Sequence, residues 1–113
     1  MKSNLTQKHC ESCEGIGQAF NQEQIYKLLP QLDRNWHLSE DRKEIQRAFT
    51  FSNFYETMAF VNAVAFMAHQ ENHHPDLELG YNYCKIRYST HALAGLSMND
   101  FICAAKVDLL LLG

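Results

Sequence analysis

The chain has 113 residues, 46% of them hydrophobic and 20% charged, with a formal net charge of −3. That is enough for one compact domain and too little for two, and burying roughly two-thirds of its unfolded surface requires no disulfide or metal. The mild acidity argues against a dedicated nucleic-acid binder, and no apolar run approaches the ~20 residues that span a bilayer. The opening MKSNLTQKHCESCEG has no apolar stretch of the kind that forms a secretory signal. The chain is therefore expected in the cytoplasm, with Cys10, Cys13, Cys84 and Cys103 mostly reduced.

Residues 1–18 are polar and aperiodic and read as a loosely ordered arm ahead of one domain at 19–113. A first helix is predicted from Asn21 or Gln22 to Leu29, with Ile25, Leu28 and Leu29 inward and Pro30 stopping it. Trp36–Leu38 and Glu44–Phe51 read as strands. In the second, Ile45, Arg47, Phe49 and Phe51 share a face that Arg47 interrupts. Asn53 and Glu56 mark the start of a long helix whose stripe is Phe54, Met58, Val61, Ala65 and Ala68, widened by Phe60, Val64 and Met67. It ends near Asn72, because Pro75 disfavours helical geometry at His74.

Strands at Leu77–Leu79 and Tyr83–Thr90 follow, joined around Gly80-Tyr81-Asn82; Cys84, Ile86 and Tyr88 face one way and Lys85, Arg87, Ser89 and His91 the other. A last helix starts at Ser97, with Asp100 at the capping-box position and Leu96 and Phe101 as a hydrophobic staple. Its stripe is Phe101, Ala104 or Ala105, Val107 or Asp108, and Leu111. The order α-β-β-α-β-β-α predicts an α+β, two-layer fold: a four-stranded antiparallel sheet with helices on one face.

The chemistry concentrates in His69-Gln70-Glu71-Asn72-His73-His74-Pro75. His69 and His73 stand four apart, the helical spacing of a two-histidine metal pair, and a zinc site would draw a third ligand from Glu71, His74, His91 or Asp100. Proton transfer fits the local backbone better. Carbonyls at a helix C-terminus favour imidazolium, and Pro75 makes the rings of His73 and His74 diverge. His91 is placed at a strand end within reach of the same cleft. A purely structural alternative stays open: helix-end histidines paired with carbonyls and carboxylates, and Asp100 as a helix cap. Cys10 and Cys13 invite zinc, with His9, or redox chemistry, but no fourth ligand lies nearby in sequence and a reduced arm is favoured.

His73-His74-Pro75, Ser89-Thr90-His91, Gly95-Leu96-Ser97 and Asp100, with Tyr81 between them and Asn35-Trp36 upstream, together resemble the pterin-4a-carbinolamine dehydratases across residues 20–113. The resemblance implies the α+β fold read above. It also implies a hydro-lyase that removes water from 4a-hydroxytetrahydropterin to give quinonoid dihydropterin, with no metal and no organic cofactor. That reaction recycles the pterin of aromatic amino acid hydroxylases such as phenylalanine hydroxylase. Carried over by position, His73 and His91 match the general acids for the hydroxyl, and His74 matches the residue that holds the pterin, with base chemistry open to it.

Pro75, Ser89, Thr90, His91 and Ala92 match the pterin slot, and Asp100 orients a histidine, caps the helix, or both. Animal members carry glutamate where this chain has His69, which leaves that position's role open. Family members form homodimers or homotetramers. Some animal members bind a homeodomain transcription factor, so a non-catalytic binding or assembly module on the same scaffold is the competing expectation.

Overall fold

The structure, a computed structural model, describes residues 4–12 and 17–111. Helix α1 (Gln22–Leu28) opens on a reciprocal capping box between Asn21 and Gln24 and passes into a 3-10 turn over Leu29–Gln31. The tighter turn accommodates Pro30, which has no N–H to donate to a longer helix. Strands β1 (His37–Leu38), β2 (Ile45–Thr50), β3 (Asp76–Leu79) and β4 (Tyr83–Tyr88) form one antiparallel sheet in the order β1-β2-β4-β3. The register sets Ile45 opposite Tyr88, Arg47 opposite Ile86 and Phe49 opposite Cys84. These residues make one face, and all but Arg47 are buried. The other face carries Gln46, Thr50, Lys85 and Arg87. Helices α2 (Phe54–Glu71) and α3 (Met98–Leu110) complete the predicted α+β architecture.

Arg47, which interrupts the apolar face of β2, has an explanation across the core. Its guanidinium donates to Asp108 of α3 at 2.7 Å and lies 4.4 Å over the Phe49 ring. Asp108 also accepts from Trp36 Nε1 at 2.9 Å. Burial pushes the Asp108 carboxyl above its ordinary value, while Trp36 and the Arg47 charge oppose that rise. The charge at position 108 thus reads as the partner of a half-buried cation rather than a break in the helix stripe.

Two phases differ from expectation. In α2 the buried residues are Thr57, Phe60, Val61, Val64, Met67 and Ala68, while Phe54 and Ala65 are exposed. The buried stripe is rotated toward the Phe60–Val64–Met67 edge. Thr57 is accommodated inside because its hydroxyl donates to the Asn53 and Tyr81 carbonyls. In α3 burial wraps most of the first turns, from Asn99 to Ala105, whereas Leu111 is exposed. The helix has the sheet on one side and the N-terminal segment on another.

That segment is the larger departure. Residues 4–12, expected within a loose arm, lie against the helical layer. Leu5, in a 3-10 turn over Leu5–Gln7, is 1% exposed in the core. The Cys10 N–H donates to Glu71 Oε1 at 2.8 Å, the Glu11 N–H donates to Asn99 Oδ1, and Asn99 Nδ2 returns a bond to the Glu11 carbonyl. Glu71 Oε2 accepts from Lys106 at 2.7 Å and pairs with His9 at 2.9 Å. Burial works against the charge on Glu71, but the bonds from Lys106, the Cys10 N–H and His9 outweigh it and hold the carboxyl at about 2, below its ordinary 4.5.

A depressed carboxyl pKa stabilises the fold above its unfolded value and loses that contribution as pH falls through the folded one. Glu71→Gln is therefore expected to lower the melting temperature at neutral pH. The gap from wild type should close between about pH 4.5 and about pH 2, as read by thermal melts across that range. A gap that stays constant with pH would refute the assignment. Cys13, paired with Cys10 in the sequence expectation, lies outside the described residues.

Candidate active site

Four elements meet at one end of the sheet: the exit of α2, the start of β3, the end of β4 and the N-terminus of α3. Helix α2 stops at Asn72, whose backbone is left-handed (φ 54°, ψ 40°) and whose N–H caps Ala68 and His69 carbonyls. Asparagine is among the few non-glycine residues that adopt this conformation cheaply. The turn takes His73 off the helical screw, so His69 and His73 do not share a face: His69 is exposed and His73 is buried. The helical metal pair loses its geometric basis, and Glu71 is already engaged by Lys106. Among the described residues no three His, Cys, Asp or Glu side chains stand where they could hold one metal ion.

His73 turns inward onto Asp100, which is fully buried; the His73 Nε2 to Asp100 Oδ1 distance is 2.7 Å. The other carboxylate oxygen, Oδ2, accepts from Thr90 Oγ1 at 2.8 Å and from the Ser97 N–H at 2.9 Å. Because Thr90 spends its single proton on Asp100, Ser97 donates to Thr90 across 2.7 Å and itself accepts from the Asn99 N–H. Asp100 therefore caps α3 and holds a histidine with the same group. Its Oδ1 is an acceptor, so Nε2 of His73 carries a proton and Nδ1 is the nitrogen left for exchange. Tyr88 stacks on the His73 ring at 5.8 Å, with planes 9° apart, and fixes its tilt.

The remaining residues of the predicted site are more open. His74 and Ala92 are exposed, while Pro75 and Ser89 are half-buried. His91 does not end a strand: β4 stops at Tyr88, and His91 begins a 3-10 turn over His91–Leu93. The chain breaks from the sheet at Thr90, whose N–H donates to Gly95 at 2.7 Å while its carbonyl accepts from Leu93. The turn leaves the His91 side chain 75% exposed, with Nε2 4.0 Å from Asp76 Oδ2. One histidine is thus buried and braced, and two are open to solvent.

Thr90, a residue of the expected substrate slot, has its hydroxyl committed to Asp100 and Ser97. Ser97 and Tyr88 belong to the support of His73, although sequence reasoning gave Ser97 only a capping role and Tyr88 only a core one. The signal available was Asp100 three residues after Ser97, which marks a cap but names no partner. A groove of about 750 Å³ between α2 and α3, lined by Phe66, Met67, Lys106 and Leu109, touches none of the histidines in this group.

The sequence pattern of the family described as Pterin 4 alpha carbinolamine dehydratase matches residues 18–110. A protein of Legionella pneumophila (strain Corby), provisionally named pterin-4-alpha-carbinolamine dehydratase, is 67% identical over 111 residues, covering 98% of each chain. One of Nitrosomonas eutropha with the same provisional name is 53% identical over 109 residues, covering 96% of this chain and 95% of its own.

Among solved structures, the transcriptional coactivator/pterin dehydratase from Brucella melitensis aligns with a TM-score of 0.77 at 26% identity, over 81% of this chain and 97% of its own. A pterin dehydratase-like protein identified as a RuBisCO assembly factor in the alpha-carboxysome aligns at 0.59 and 25% identity, over 67% of this chain and 88% of its own. With the long matches at high identity and the matching fold, the chain belongs to the pterin 4 alpha carbinolamine dehydratase family.

Proposed function

We propose that this chain dehydrates 4a-hydroxytetrahydropterin to quinonoid dihydropterin by histidine acid/base catalysis, without a metal or organic cofactor. In doing so it serves aromatic amino acid hydroxylation, with phenylalanine hydroxylase as the partner activity. The observation that carries the proposal is the buried Asp100 carboxylate bonded to His73, beside the exposed His74 and His91. The leaving group sits on a carbon bonded to nitrogen. A proton delivered to the hydroxyl releases water, the ring nitrogen's lone pair forms the C=N bond, and a ring N–H proton leaves to a base.

His73 and His91 supply acid to the hydroxyl, and His74, the exposed neighbour, holds the pterin edge together with Pro75, Ser89 and Ala92. Steady-state dehydration by His74→Ala is expected to show KM raised about tenfold with kcat within about threefold, the signature of lost binding that is uniform along the reaction. A kcat loss with KM unchanged would move His74 into the chemistry.

A second reading has its own observation. Phe54, Tyr55 and Phe66 on α2 are 48%, 81% and 65% exposed, and such a row of aromatics suits contact with other chains. We assign that face to assembly of a homodimer or homotetramer. Given the assembly-factor relative, a non-catalytic binding module is the competing role for the whole chain. The two readings separate on whether the wild type accelerates dehydration above buffer.

A further inference from the structure

The N-terminal segment brings Cys10 beside Cys103 of α3, with 3.5 Å between the sulfurs, although the residues are 93 apart in sequence. We infer that Cys10 and Cys103 form a reversible disulfide that fastens the N-terminal segment to the turn of α3 carrying Asp100. The sulfurs are in van der Waals contact, and a bond of ~2.05 Å needs an approach of roughly 1.5 Å, which is within the reach of side-chain rotation. The segment is already registered on α3 by the paired bonds between Glu11 and Asn99, and on α2 by the Cys10 N–H to Glu71, so the bond would close onto a preformed contact. Cys103 is fully buried and sits beside the Tyr88 hydroxyl, and Tyr88 stacks on His73. The covalent tie would therefore be made one residue contact away from the ring that braces the candidate acid.

With hydrogen peroxide as oxidant the step balances. The half-buried Cys10 sulfur attacks one oxygen, the O–O bond breaks, and water leaves, giving a sulfenic acid on Cys10. The Cys103 sulfur then displaces the second oxygen as water, so two thiol protons and two electrons pass to the peroxide. Hydrogen bonding to Cys103 and burial hold the Cys10 thiol well above its ordinary value. Oxidation is accordingly slow, and the bond accumulates under sustained oxidising conditions rather than acting as a fast sensor.

The test treats the full chain with hydrogen peroxide at mildly alkaline pH, then reads peptide mass mapping and thermal melts with and without dithiothreitol. The expected result is a Cys10–Cys103 cross-linked peptide and a melting temperature raised by roughly 15–20 °C, reversed by reductant, as a loop of this length predicts. Cys13→Ser should keep both readouts and Cys10→Ser should lose both; Cys10 is the diagnostic position because replacing Cys103 would disturb the core. A Cys10–Cys13 bond, a cross-link between chains, or two thiols still open to alkylation would each overturn the assignment.

Discussion

Replacing Asp100 with alanine is expected to lower stability by about 3–4 kcal/mol and to reduce kcat/KM by at least 10²-fold. Three donors converge on this carboxylate: His73 Nε2, the Thr90 hydroxyl and the Ser97 N–H. All three residues are buried, so truncation strands polar groups out of reach of water, the most expensive way to lose a hydrogen bond. In a domain of this size that loss corresponds to a melting temperature lower by roughly 12–16 °C.

Asp100→Asn separates positioning from structure. Its amide oxygen can still accept from Ser97, which preserves the cap and most of the stability. Its NH₂ would donate to His73 Nε2, which forces the ring proton onto Nδ1. The geometry survives with the tautomer reversed, and the rate is expected to fall by about 10²-fold while the melting temperature falls only a few degrees. Equal damage to stability and rate in both variants would reduce Asp100 to a helix cap.

His73→Gln is expected to cost 10²- to 10⁴-fold in kcat, with KM changed little, because glutamine can keep the bond to Asp100 but cannot deliver a proton near neutral pH. His91→Ala is expected to cost a comparable factor in kcat. Its side chain is three-quarters exposed and approaches Asp76 only to 4.0 Å, so stability should be unchanged. The double variant should lose less than the product of the single losses, since the two groups serve one proton delivery. Full activity in His73→Gln would leave the buried pair with a folding role alone.

Much of this was legible in the residues, for identifiable reasons. Pro75, Asn53, Ser97 and Pro30 punctuate the chain through local chemistry, so the element order and the antiparallel sheet followed from the sequence. The alternation of Cys84, Ile86 and Tyr88 fixed which side of β4 is buried. Four features were hidden, each for its own reason. The inward turn of His73 requires the left-handed backbone of Asn72, which a count of helical spacing cannot see. The face of α2 was misjudged because apolar residues occupy most of its circumference; Phe54 and Phe66 are as hydrophobic as Phe60 and Val64.

The docking of residues 4–12 has almost no apolar signal beyond Leu5 and rests on bonds to Glu71 and Asn99 across the fold. His91 lies in a 3-10 turn rather than at a strand end, because β4 stops at Tyr88 and Thr90 pairs only with Gly95. The family resemblance supplied the reaction. The residues alone had left proton transfer, metal binding and simple helix capping side by side.

The most direct measurement is the dehydration rate of freshly generated 4a-hydroxytetrahydropterin with EDTA-treated wild-type protein, against buffer at the same pH. The account predicts rapid catalysis, unchanged by EDTA and by added divalent metal. A rate equal to that of buffer would contradict it and leave a binding or assembly role. Catalysis that appears only with added metal would contradict the metal-free mechanism.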